Sequence, residues 1–119
     1  MLRERARGAD GLVAVAVVSL LQLRVAPGMG ADLVRGFGEL RIFELAGEHA
    51  GLRAARLLEP REPDAPYLVV AEWDRAEDYD AWLAHPERAR VNEQLGHLLA
   101  GAPAGGLYTV ASAWEARAL

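Results

Sequence analysis

The residues best equipped for chemistry lie in one stretch, residues 71–92, AEWDRAEDYDAWLAHPERARVN. Trp73, Tyr79 and Trp82 crowd a segment that is otherwise charged and Ala-rich, in a chain with three Trp, three Tyr and two Phe in all. Flat rings sandwich a flat ligand, and the Trp N–H and Tyr O–H can each donate a hydrogen bond. Asn92, the single Asn of the chain, adds an amide donor, and Arg90 a permanent positive charge. Rings crowded in this way could line a pocket for something flat and aromatic. The competing reading is structural: large rings between a helix and a sheet more often fill a core than line a pocket.

Other chemistries have less to stand on. Cysteine is absent, which excludes disulfides, Cys-ligated zinc and thiolate nucleophiles. No two of His49, His85 and His97 have the i, i+4 spacing that puts two metal ligands on one helix face. His85, just before Pro86, reads as a helix-start residue. The two serines, Ser19 and Ser112, fall mid-strand with no G-x-S-x-G elbow. The glycines of PGMGADLVRGFG do not follow a dinucleotide or phosphate loop. Glu77, Asp78 and Asp80 read as the negative first turn of a helix. A net charge of −4 argues against a nucleic-acid surface, and all 13 basic residues are Arg, a bias of coding more than of binding. No metal or cofactor is expected.

At 119 residues the chain is one domain. Residues 1–10 are expected to form a disordered charged tail and 11–119 the domain. The opening MLRERARGADGLVAVAVVSLLQL has the apolar run of a signal peptide, but Glu4 and Asp10 interrupt its basic region and no small-x-small site follows. It is also short for a membrane span. It is read as a strand over Val13–Val25 in a cytoplasmic protein, apolar on both faces and so covered on both. APGMGAD then breaks the strand and starts a helix striped by Leu33, Phe37 and Leu40, running to about Leu45 and ending near Gly47. Residues 51–60 and 67–73 read as an antiparallel strand pair. Along the second, Tyr67, Val69, Ala71 and Trp73 share a face.

Asp74-x-x-Glu77 has capping-box spacing, so a helix is expected directly after Trp73. Tyr79, Trp82 and Leu83 fall on one side of it. Pro86 opens a second helical segment carrying Val91, Leu95 and Leu98, AGAPAGG ends it, and 107–116 reads as a fourth strand. The order predicts an α+β, ferredoxin-like βαββαβ fold: a four-stranded antiparallel sheet with two helices on one face. The uncovered apolar sheet face predicts a homodimer, sheet against sheet.

Through RVAPG at 24–28, VVAEWDRAEDYDAWLAHPE at 69–87 and YTVASAW at 108–114, the chain resembles the antibiotic biosynthesis monooxygenase domains of the dimeric α/β-barrel superfamily, over roughly residues 15–116. The resemblance implies a dimer whose two sheets form a barrel, with a separate cleft in each subunit between sheet and helices. In the polyketide branch, cofactor-free enzymes oxidise anthrone-like phenols to quinones, with a Trp closing the third strand and a Tyr six residues later, as Trp73 and Tyr79 stand here. That branch's Asn, four residues before the Trp, is Val69 in this chain, and its helix Arg falls near Glu93, with Arg90 the nearest candidate. In the haem-degrading branch the W-x8-W-L frame matches Trp73 and Trp82-Leu83, but the ligand His is replaced by Asn92 and a first-strand Asn by Leu21. An amide is a poor axial ligand for iron.

The resemblance therefore implies a cofactor-independent monooxygenase oxidising a small aromatic, quinol or polyketide-type substrate with molecular oxygen. Trp73, Tyr79 and Asn92 would be catalytic, and Trp82, Val69, Leu21 and Arg90 would bind substrate. Its expected partners are a second copy and a small aromatic ligand, with no nucleic acid and no membrane. The alternatives are a non-catalytic binding or accessory domain on the same fold and a haem-binding or haem-degrading relative.

Overall fold

The computed structural model describes residues 17–116. The expected tail at 1–10 and the Val13–Ala16 start of the first strand lie outside them. The elements run β1 (Val17–Leu23), α1 (Gly30–Glu39), α2 (Ile42–Ala50), β2 (Leu52–Leu58), β3 (Tyr67–Trp73), α3 (Ala76–Leu83), α4 (Pro86–Leu95), a 3-10 turn (Gly96–Leu98) and β4 (Ala104–Thr109). The sheet order is β2-β3-β1-β4, every pair antiparallel. This is the expected ferredoxin-like arrangement, with each of its two helices divided into a pair.

The first division corrects the single helix expected to reach Leu45. α1 stops at Leu40, whose N–H donates to the Gly36 carbonyl at 2.9 Å. Arg41 then takes a left-handed conformation, φ 53° and ψ 45°. For a non-glycine residue that costs on the order of 1 kcal/mol. The bend is offset by what it buries, since Ile42 is 9 % exposed and Phe43 meets Phe37 at a centroid distance of 5.5 Å. Gly36 holds α1 close to α4, because a Cβ there would stand 2.7 Å from Leu95 Cδ2. α2 ends not at Gly47 but at Gly51, whose φ of 77° suits glycine.

The second division is the expected one, at Pro86. His85 caps α4, its Nδ1 accepting from the Glu87 N–H at 3.0 Å. The capping box before α3 does not form. Arg75 is the N-cap and its donor-only side chain makes no cap, while Asp74, one residue ahead, accepts from Arg53 at 2.8 Å.

β3 has the expected bounds. β2 is shorter than expected, and β4 begins at Ala104 instead of residue 107 and ends at Thr109. Glycines 105 and 106 belong to the stretch expected to end a helix. They are strand instead because β1 offers a ladder, Leu21 opposite Gly105 and Leu20 opposite Gly106, and pairing overrides weak intrinsic preference.

Among the described residues, most of the core lies on the helix side of the sheet in two clusters. Ala46 and Ala50 of α2 pack with Ala71 and Trp73 of β3 and Trp82 of α3. Leu33 of α1 packs with Leu23, Tyr67 and Leu98. On the other face Leu20, Leu58 and Tyr108 are exposed, Tyr108 to 57 %. Among the described residues no helix is long and apolar enough to cross a membrane.

Candidate functional site

The two core clusters do not meet everywhere. Between them lies a cavity of about 300 Å3, lined by residues drawn from both. Its floor is the sheet: Ser19 and Leu21 from β1, Val69, Ala71 and Trp73 from β3. In the register Leu21 stands opposite Val69 and Ser19 opposite Ala71, so period two aims all of these side chains toward the helices. Phe37 and Phe43 close one side, Tyr79 and Trp82 another, and Arg88 and Asn92 of α4 complete the wall.

Trp73 is 2 % exposed, and its indole Nε1–H donates to the Ser19 hydroxyl at 2.9 Å. The bond satisfies both groups, Ser19 itself being 6 % exposed. It also occupies the single donor of the indole, so Trp73 meets the cavity as a ring and not as a hydrogen-bond donor. Tyr79 stands edge-on to that ring, centroids 5.6 Å apart at 65°. Its hydroxyl makes no hydrogen bond to any described residue, and it approaches the backbone of Gly105, where a Cβ would lie 3.7 Å away. Trp82 is buried and stacks on His85 at 5.8 Å, which stacks in turn on His49 at 4.8 Å. This ring column braces the α3–α4 corner against α2.

The lining is apolar apart from Ser19, Tyr79, Arg88, Asn92 and the Trp N–H groups. Among the described residues it contains no histidine and no carboxylate. A hollow of this size with a few convergent polar groups fits a small ligand, at the lower end of the usual range of roughly 300–1,000 Å3. Away from the cavity, the buried Tyr67 phenol has its pKa raised, first by burial and then by the charge and hydrogen bond of Glu59.

A sequence model of the family described as antibiotic biosynthesis monooxygenase matches residues 16–94. The chain belongs to that family. Solved structures agree on the fold of this antibiotic biosynthesis monooxygenase domain. SnoaB, a cofactor-independent oxygenase from Streptomyces nogalater, solved as a variant, is 22% identical with a TM-score of 0.69, over 84% of this chain and 97% of that one. A protein of unknown function from Nitrosomonas europaea is 17% identical with a TM-score of 0.68, over 88% and 98%. A conserved protein from Methanosarcina mazei is 14% identical with a TM-score of 0.68, over 84% and 97%. At these identities the likeness is one of fold. No curated protein matched the chain by sequence.

Of the residues singled out from the sequence of this monooxygenase-family domain, Trp73, Tyr79, Asn92, Trp82, Val69 and Leu21 all line the cavity. Arg90 does not. It lies on the exposed side of α4, its Nε donating to Glu87 at 2.9 Å and Nη1 to Gln94 at 3.3 Å. The cation that reaches the cavity is Arg88. The signal that finds it is helical phase: Arg88, Val91, Asn92 and Leu95 form an i, i+3, i+4, i+7 stripe. Val91, only 2 % exposed, anchors that stripe toward the core. Ser19 also lines the cavity, which local spacing does not signal because its partner is 54 residues away.

Proposed function

We propose that this protein is a cofactor-independent monooxygenase that oxidises a small aromatic, quinol or polyketide-type substrate with molecular oxygen. The observation that carries the reading is the hollow between Trp73, Tyr79 and Trp82, which these rings enclose without filling. A ring substrate enters flat against Trp82 and the edge of Trp73, over Leu21 and Val69. Once ionised it is electron-rich enough to reduce oxygen directly. The Tyr79 hydroxyl, free of other partners, donates to the anion, and the Asn92 amide at the exposed rim is a second donor. For a CH2 group flanked by rings the net change is CH2 + O2 → C=O + H2O, so the substrate supplies all the electrons. Apolar walls keep out the water that would solvate the anion.

The same reading makes the protein a cytoplasmic homodimer through the open sheet face, where Leu20, Leu58 and Tyr108 are exposed. A second reading, a ligand-binding domain without catalysis, is favoured by the absence of a histidine or carboxylate from the lining to take the substrate proton. Oxygen uptake separates the two. Chelator-dialysed protein is offered anthrones and naphthoquinols, with Tyr79→Phe as control. Turnover that falls in the control supports the monooxygenase. Binding of the same compounds with oxygen uptake no faster than buffer supports the binding domain.

A further inference from the structure

The cavity has a charge imbalance. The chain carries 17 acidic residues, yet among the described residues no acidic side chain lines the cavity, and Arg88 is the one charged residue that does. The other arginines on helices have found carboxylates: Arg35 pairs with Asp32 and Arg90 with Glu87. The Arg88 side chain is half-buried and makes no ion pair or hydrogen bond with any described residue. Glu87 precedes it directly, but consecutive side chains on a helix point about 100° apart. Arg88 is also the third residue of α4, at the end where the helix dipole disfavours a cation and favours an anion. A guanidinium placed there, beside apolar walls and with no local partner, is poised for an anion that arrives from outside.

From this we infer that Arg88 selects a ring compound bearing an acidic oxygen group, a carboxylate or an ionised phenol, and pairs with that group as the rings enter the cavity. The inference rests on the cavity being a ligand site. It does not depend on oxygen chemistry. The apolar lining accepts the ring system, and the charge-assisted bond to Arg88 sets its orientation. Aromatic acids thus gain over neutral compounds of the same shape.

The test is calorimetric titration with 2-naphthoate, 2-naphthol and 2-naphthamide, which share one ring system. Wild-type protein is expected to bind 2-naphthoate roughly tenfold or more tightly than 2-naphthamide. Arg88→Gln erases that difference while leaving 2-naphthamide affinity within about twofold, which shows the cavity intact, and Arg88→Lys retains part of it. Arg90→Gln changes neither ratio. If 2-naphthol gains likewise and its naphtholate absorbance appears on binding, an ionised phenol is accepted as well. If only 2-naphthoate gains, the group is a carboxylate. Equal affinities in the wild type, a preference that survives Arg88→Gln, or no binding of any probe would overturn the inference. A preference for 2-naphthoate without oxygen uptake on any quinol leaves it standing and removes the monooxygenase reading alone.

Discussion

The indole N–H of Trp73 donates to the hydroxyl of Ser19 at 2.9 Å, joining β3 to β1 beneath the cavity. Both partners are nearly inaccessible to water. Ser19→Ala therefore leaves a buried donor unpaired and is expected to lower stability by about 1–3 kcal/mol, read as a shift of the urea midpoint at unchanged m-value. Because the N–H never reaches the ligand, affinity for 2-naphthamide should hold. An affinity that falls at unchanged stability would put the indole donor on the ligand instead.

Tyr79 offers the opposite case, a hydroxyl with no partner among the described residues. Tyr79→Phe should alter the unfolding free energy, read from urea titration, by less than about 0.5 kcal/mol. If the hydroxyl stabilises the substrate anion, kcat for oxygen uptake falls about 100-fold, the usual effect of removing one such donor. A loss of stability with unchanged turnover would assign Tyr79 to the core.

Val69→Phe tests the hollow itself. With about 300 Å3 of empty space above it, the larger ring should enter at little cost in thermal midpoint and abolish binding of 2-naphthoate. In a solid core the same change would cost about 1–3 kcal/mol through overpacking. That result would end the case for a ligand site.

On the proposed reading, two copies of the chain pair through the exposed sheet face. Tyr108→Glu combined with Leu20→Glu puts like charges where two apolar sheets would meet, since both residues lie on that face with Leu20 opposite Gly106 and Tyr108 opposite Val18. Sedimentation equilibrium should find the parent chain dimeric and the double variant monomeric, the circular dichroism of the two being alike. A monomeric parent chain would remove the dimer and leave the cavity untouched.

Much of the fold could be read without coordinates. β3 has its expected bounds, since alternation between two turn signals names a strand and its faces at once. The meeting of Trp73, Tyr79 and Trp82 also follows from local periodicities, two along a strand and three to four along a helix. Other features could not be read that way. The break at Arg41 exists because Ile42 and Phe43 find burial after the bend, and Asp74, paired with Arg53 of β2, stands one residue ahead of the Arg75 N-cap. The choice of Arg88 over Arg90 turned on helical phase. Two residues differ by about 200° around the axis, and only the docking of Val91 decides which side is inward.

The sequence by itself determined the order of strands and helices and the faces that β3 and α3 present, because these depend on neighbours within a few residues. The tertiary structure alone decided that the rings stop short of filling the space they enclose. It alone gave the Trp73 donor to Ser19 and left Arg88 facing the cavity without a carboxylate. Those outcomes depend on the separation of helices from sheet and on pairs 54 residues apart, distances that local spacing does not encode.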